Sequence, residues 1–312
     1  MRFLFVMDPV DTILVDEDTS FAIMLEGQTR GHRIDHCLVR DVQLRGGTPF
    51  ASSRSATMSR EAEEAVVLGD VENVDIADYD GVFIRKDPPF DDEYLWLSLI
   101  LERARGESLI INDPRGLRDA NEKLYACHFP ELMPTTLVSS SRDAIRAFTK
   151  ELGGKAVIKP VDGHGGAGIF MLQSDDKNFN ACVEAVTHGG KRVAMIQEFL
   201  PGVSKGDKRI LLAGGEILGA ILRVPKGDDL RSNIHVGGSV VATEIDADDQ
   251  RIVDGVRERL AKDGLFFVGL DVIGGKLTEV NVTSPTGIQQ MTRLSGINCE
   301  EKVWLKIEER LA

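Results

Sequence analysis

Ala156-Val157-Ile158-Lys159-Pro160-Val161-Asp162-Gly163-His164-Gly165-Gly166-Ala167-Gly168-Ile169 decides how the second half of this chain folds. An apolar strand ends on Lys159-Pro160, glycines crowd the next turn, and an apolar strand resumes at Ile169. Glycines let backbone N–H groups turn toward an anion without steric cost, and a lysine at the strand end adds a point charge. No GK[ST] follows, so this is not a Walker loop. A strand rather than a helix comes next, so it is not a dinucleotide-binding fingerprint either. It reads as a hairpin connection facing phosphate, although a flexible hairpin with a surface lysine has the same composition.

Downstream, residues 193–196, 209–212, 217–224 and 240–243 read as strands. A helix spans about 247–262, and a hairpin of 266–273 with 277–282 turns at Gly274-Gly275. This half is α+β with antiparallel sheets. Upstream the pattern differs. Residues 3–7 read as a buried strand stopped by Asp8-Pro9, and a helix over 19–31 follows, with Ser20 as its cap and Gly31 as its end. Strands at 34–39, 81–84 and 108–111, a hairpin about Gly46-Gly47, and helical spacing from Tyr94 to Ala104 complete it. Strand–helix alternation over residues 1–115 argues a small, open, mostly parallel sheet. Ligands of such sheets sit beyond the strands' carboxyl ends, where Asp8 and Arg85 fall.

Three further stretches carry chemistry. In Leu277-Thr278-Glu279-Val280-Asn281, Glu279 and Asn281 share one face because they are two apart on a strand. A three-residue loop, 274–276, would place Asp271 opposite Glu279, whereas a two-residue loop would send Asp271 to the other face. Two carboxylates and an amide oxygen suit Mg²⁺ or Mn²⁺, and the polar outer face of an ordinary hairpin would look similar. Lys208 and Arg209 after Gly206-Asp207, and Arg223 ending Ile221-Leu222-Arg223, are cations bracketed by apolar strand positions, suited to a triphosphate or an acyl phosphate. Residues 226–238, with Arg231 and Asn233, read as a mobile lid or a plain surface loop. In Leu117-Arg118-Asp119-Ala120-Asn121-Glu122-Lys123-Leu124, Asp119 and Glu122 have capping-box spacing, which puts Lys123 in a first helical turn.

The chain has 312 residues, enough for two unequal domains or three lobes sharing a cleft. A net charge of −13 makes nucleic acid and anionic membrane poor partners. Scattered cysteines without a CxxC pair suit a reducing compartment. The first residues carry charge too early for a signal peptide, and no apolar run nears the roughly 18–20 residues of a membrane helix. A cytoplasmic setting is expected.

Together, Met7-Asp8-Pro9, Arg85-Lys86-Asp87-Pro88-Pro89-Phe90, residues 117–124, Lys159-Pro160 with its glycine loop, Gly206-Asp207-Lys208-Arg209 and residues 267–285 resemble prokaryotic-type glutathione synthetases of the ATP-grasp superfamily. The matching motifs run in the family's order over almost the whole chain. The resemblance implies a pre-ATP-grasp domain (1–120) with an open, mostly parallel sheet. A two-lobed ATP-grasp domain (121–312, lobes about 121–199 and 200–312) would follow. It implies ATP-dependent ligation of γ-glutamylcysteine and glycine through an acyl phosphate, in a homo-oligomer. By matched position, Lys123, Lys159 and the loop glycines Gly163, Gly165 and Gly166 would hold ATP phosphates. Gln197, Glu198, Phe199 and Leu200 would read adenine, and Asp207 and Lys208 would line the nucleotide site. Arg209 and Arg223 would stabilise the transferred phosphoryl group. Asp271, Glu279 and Asn281 would hold the metal, and Arg85 and Ser284, with Arg231 and Asn233 of the lid, would bind substrate. The lid and the tail after Thr286, with its Gln289-Gln290, depart from the family pattern. Another ATP-grasp amino-acid ligase would share Lys159, Glu279 and Asn281, and a non-catalytic ATP-binding regulatory module would need nucleotide binding alone.

Overall fold

The computed structural model describes residues 1–61, 63–163, 165–225 and 239–312. The first sheet is built on β1 (Arg2–Met7), flanked in parallel by β2 (Arg33–Cys37) on one side. β3 (Val42–Arg45), β4 (Thr48–Met58) and β5 (Val66–Asp75) extend that side as an antiparallel meander. On the other side lie β6 (Gly81–Arg85) and β7 (Leu109–Ile111), again parallel. The strand order is β3-β4-β2-β1-β6-β7, with β5 on β4. The sheet is thus parallel in its centre and antiparallel at one side, where the long β4–β5 hairpin had left no clear signal in the sequence.

β1 is buried on both faces, as a central parallel strand should be. Leu4 and Val6 join one core and Phe3, Phe5 and Met7 the other. The helix α1 (Thr19–Thr29) covers the second face, and its cap is Asp18, whose Oδ1 accepts from Phe21 N at 2.7 Å. Ser20, the expected cap, is inside the helix and free for other work. Helices α2 (Asp92–Leu101) and α3 (Pro114–Asp119) lead out of this sheet.

A small four-stranded antiparallel sheet follows. It comprises β8 (Thr136–Ser139), β9 (Lys155–Pro160), β10 (Phe170–Gln173) and β11 (Ala194–Glu198), in the order β10-β9-β11-β8. Helices α4 (Arg142–Glu151) and α5 (Phe179–Thr187) back it over a core of Ile145, Ile158, Phe179 and Val183. The third sheet holds β12 (Asp207–Ala213), β13 (Glu216–Val224), β14 (Ser239–Ala242), β15 (Phe267–Ile273) and β16 (Lys276–Asn281). Its order is β14-β13-β12-β15-β16, with α6 (Ala247–Lys262) connecting β14 to β15.

Two helices then close the chain, α7 (Ile288–Ser295) and α8 (Cys299–Leu311). α8 returns to the first sheet. Trp304, fully buried, lies edge-on to Phe3 at 4.7 Å and donates its Nε1–H to Ile23 O at 2.8 Å. Gly27 of α1 makes room for it, since a Cβ there would stand 2.3 Å from the indole.

Candidate active site

A cleft of about 1190 Å³ lies where the three sheets meet, larger than a single small ligand usually fills. Its wall changes character along its length. Val157, Ile169, Met171, Phe199, Leu200 and Ile273 line an apolar part beside β11. The glycine loop, Lys123 and Lys159 come next, then the charged face of the third sheet, and Arg85 with residues 283–287.

The glycine loop joins β9 to β10 as an antiparallel pair, Ile158 opposite Phe170, so it is the hairpin connection expected. Gly165, Gly166 and Gly168 have φ of +63°, +80° and +72°, values that side-chain-bearing residues rarely adopt. His164 lies outside the described residues. Lys159 Nζ donates to Gln197 Oε1 at 2.8 Å, and Gln197 Nε2 donates to Thr136 Oγ1 at 3.1 Å. Burial lowers the Lys159 ammonium below the ordinary lysine value; Lys123 adds to this, while Glu279 opposes it.

Lys123 does not start an α-helix. Asn121, not Asp119, makes the turn by accepting from Lys123 N and Leu124 N at 3.2 and 2.9 Å, and a short 3₁₀ segment follows. The buried Lys123 Nζ bridges Gly163 O at 2.5 Å and Glu279 Oε1 at 2.8 Å, tying the glycine loop to β16.

Cross-strand register arranges the charges of the third sheet. Asp207 is opposite Arg223, Arg209 is opposite Asp271, and Asp271 is opposite Glu279. The hairpin loop has two residues, Gly274-Gly275, because Ile273 pairs with Lys276. By simple alternation Asp271 would then face away from Glu279. A β-bulge between Asp271 and Val272 absorbs Thr278 and restores the pairing of Asp271 with Glu279. Thr278 is buried and donates its hydroxyl to Asp271 O at 3.1 Å. Loop length alone was therefore the wrong criterion.

Asp271 takes both Nε and Nη2 of Arg209, at 2.5 and 2.9 Å, and Nη2 of Arg223 at 2.9 Å. Arg223 also holds Asp207 at 2.5 Å. Burial alone would raise the Asp271 carboxyl, but the two guanidinium groups more than offset it and hold it well below the usual range. Burial raises the Asp207 carboxyl against the opposing pull of Arg223. Asn281 Nδ2 donates to Gly269 O at 3.2 Å, which leaves its amide oxygen as the acceptor end.

Lys208 is not part of this face. Period two sends its side chain through the sheet to the start of α6, where it binds Asp249, Asp246 Oδ2 and Glu244 O. The expectation that it lines the nucleotide site is corrected accordingly. Arg231 and Asn233, with the rest of the expected lid, lie outside the described residues.

Arg85 ends β6 and is 5% exposed. Its Nε donates to Ser20 Oγ at 2.9 Å and its Nη1 to Pro285 O at 3.2 Å. No carboxylate is ion-paired with it among the described residues, and burial lowers its guanidinium below the ordinary value. Ser284 Oγ, beside it in the lining, is buried without a partner among those residues. Sequence reading had missed Ser20 and Glu122 as members of this wall, since both had been explained as helix caps.

Comparison with known proteins matches the chain in two parts. The family model described as the prokaryotic glutathione synthetase N-terminal domain matches residues 1–118, and that family's ATP-grasp domain matches residues 122–296. The chain is 43% identical over 306 residues to a glutathione synthetase of Rhodopseudomonas palustris, covering 98% of this chain and 97% of that one. It is 42% identical to one from Gloeobacter violaceus, covering 98% and 96%. Among solved structures, D-cycloserine synthetase DcsG superposes with a TM-score of 0.67 at 16% identity, covering 99% of this chain and all of that one. The ATP-grasp ligase PsnB, complexed with a phosphomimetic variant of its minimal precursor, Mg and ADP, gives 0.64 at 16% identity, covering 99% and 98%. At these identities the two structures speak to the fold alone.

Proposed function

The chain belongs to the prokaryotic glutathione synthetase family, and from that premise we propose that it ligates γ-glutamylcysteine to glycine at the expense of ATP. The γ-phosphate passes to the cysteinyl carboxylate, glycine's amine attacks the acyl phosphate, and glutathione, ADP and phosphate leave. The observation that carries this reading is the cleft with a line of cations from Lys159 to Arg85. Arg85 is buried there and lacks a carboxylate partner among the described residues. A buried guanidinium in that state favours an incoming carboxylate, which Arg85 and Ser284 would hold.

In this proposal the apolar part of the cleft and the backbone of residues 197–200 take adenine. The glycine loop, Lys123 and Lys159 take the phosphates, and Asp207 lines that site. Arg209 and Arg223 neutralise charge on the transferring phosphoryl group, the main service such a transfer asks of a protein. The donor set of Asp271, Glu279 and the Asn281 amide oxygen fits a hard divalent cation, Mg²⁺ or Mn²⁺, which when bound would neutralise phosphate charge. Lys123 pairs with Glu279, and Arg209 and Arg223 pair with Asp271. A substrate-binding domain of residues 1–120, ATP-grasp lobes of about 121–199 and 200–312, a homo-oligomer and a cytoplasmic setting belong to the same proposal. Among the described residues, no helix is long and apolar enough to cross a membrane.

The test is ADP release by purified protein with ATP, Mg²⁺ and γ-glutamylcysteine, with and without glycine. Glycine-dependent release with a tripeptide product is expected. Nucleotide binding without release would point to another acceptor, and Arg85 and Ser284 would lose their assignments first. Replacing Glu279 by glutamine is expected to raise the Mg²⁺ concentration for half-maximal activity by about 10-fold or more. An unchanged metal titration would remove Glu279 from the site.

A further inference from the structure

β16 stops at Asn281, and residues 282–287 continue as a segment outside any strand. Side chains from elsewhere grip its backbone instead. Val282 and Thr283 both donate their N–H groups to Glu122 Oε1, at 2.9 and 3.0 Å, and Thr283 Oγ1 donates to the same oxygen at 2.8 Å. Asn112 and Tyr94 take the carbonyls of Val282 and Thr283, at 2.8 and 3.2 Å. The Glu122 carbonyl also accepts from Val280 N at 2.9 Å. On either side of Glu122, Asn121 reaches Val161 O at 3.0 Å and Lys123 reaches Gly163 O, so one short segment touches the glycine loop, the β16 strand and the segment after it.

We propose that Glu122 is a positioning residue for the ligation. It fixes where residues 282–285, with Ser284, stand relative to the phosphate-binding loop and β16. The clamp itself rests on geometry, and its catalytic meaning rests on the proposed function. Burying a carboxylate is costly unless donors compensate it, and here three donors meet one oxygen. Phosphoryl transfer to a carboxylate demands close alignment, and a displacement of about 1 Å can cost on the order of 100-fold in rate. A segment without a β-ladder has no register of its own, so its position is as good as the groups that hold it.

The experiment compares Glu122→Ala, Glu122→Gln and Thr283→Val. It measures amide hydrogen exchange over residues 280–287, ADP affinity by calorimetry, and KM and kcat for the dipeptide. In Glu122→Ala, exchange at 282 and 283 is expected to accelerate by about 10-fold or more while ADP affinity stays within about 2-fold, since each lost bond removes local protection. Dipeptide KM should rise and kcat fall, by a combined factor on the order of 100. Glu122→Gln keeps an acceptor oxygen and should restore most of both, and Thr283→Val, which loses one bond of the three, should fall between. Unchanged exchange in Glu122→Ala would overturn the clamp, and so would faster exchange spread over the whole chain with loss of ADP binding. Faster exchange confined to this segment with unaltered KM and kcat would overturn the positioning role. If wild-type protein does not turn over the dipeptide, the proposed function falls, and exchange with ADP affinity still decides the clamp.

Discussion

Arg223→Ala is expected to lower kcat by roughly 100- to 1000-fold while nucleotide still binds, the loss typical of removing one preorganised charge from a transition state. Arg223 holds Asp207 at 2.5 Å and shares Asp271 with Arg209. Its charge therefore stands where the sheet's charged face opens to the cleft, and the cleft's apolar wall is built from other strands. Removing it also leaves buried carboxylates undercompensated, at a cost of about 3–5 kcal/mol for breaking such a pair. A thermal melt must accompany the kinetics. Arg223→Lys keeps the charge and loses the planar fork, so it should be better folded than the alanine variant and still slow. A folded Arg223→Ala enzyme with wild-type kcat would take Arg223 out of the chemistry altogether.

Asn112→Ala should produce the largest loss of stability among single polar-to-alanine changes outside the cleft. The Asn112 amide is 4% exposed and makes four bonds to backbone. Its Oδ1 accepts from Phe266 N and Phe267 N, both at 2.7 Å, and its Nδ2 donates to Phe267 O and Val282 O, both at 2.8 Å. Alanine abandons backbone groups that water cannot reach, each costing about 1–3 kcal/mol, so a total near 3–5 kcal/mol is expected. A fall in Tm on the order of 10 °C would report it. Asn112→Asp is the sharper test, because it keeps the acceptor and turns the two donors into an oxygen facing two carbonyls. If the aspartate variant melts like wild type, the amide's role as a bidentate backbone splint is wrong.

What could be read without coordinates was whatever has a strong local signature. The apolar runs of β1, β6 and β7 announced a parallel core, and α6 was legible over about 247–262, the span it has in the structure. The β4–β5 hairpin was missed. β4 mixes Ser, Thr, Arg and Ala with its apolar residues, and β5 keeps most of its residues exposed, so neither strand carries a clean apolar alternation. α7 and α8 were not read as helices at all.

Within the site, residue types singled out the candidates, but side-chain direction depended on register. The bulge at Thr278 brings Asp271 to Glu279, and simple alternation takes Lys208 away from its neighbours. Capping rules also competed with tertiary bonds. Ser20 and Glu122 satisfied a local pattern, yet Asp18 and Asn121 took the capping and left Ser20 to Arg85 and Glu122 to Thr283.

The contact of Trp304 with Phe3 joins β1 to a helix made far later in the chain. Until the ribosome has passed α8, one face of β1 lacks part of its final cover, the Trp304 indole against Phe3. The chain must carry that greasy surface through the making of two further sheets, and domain-by-domain folding from the N-terminus gives no relief.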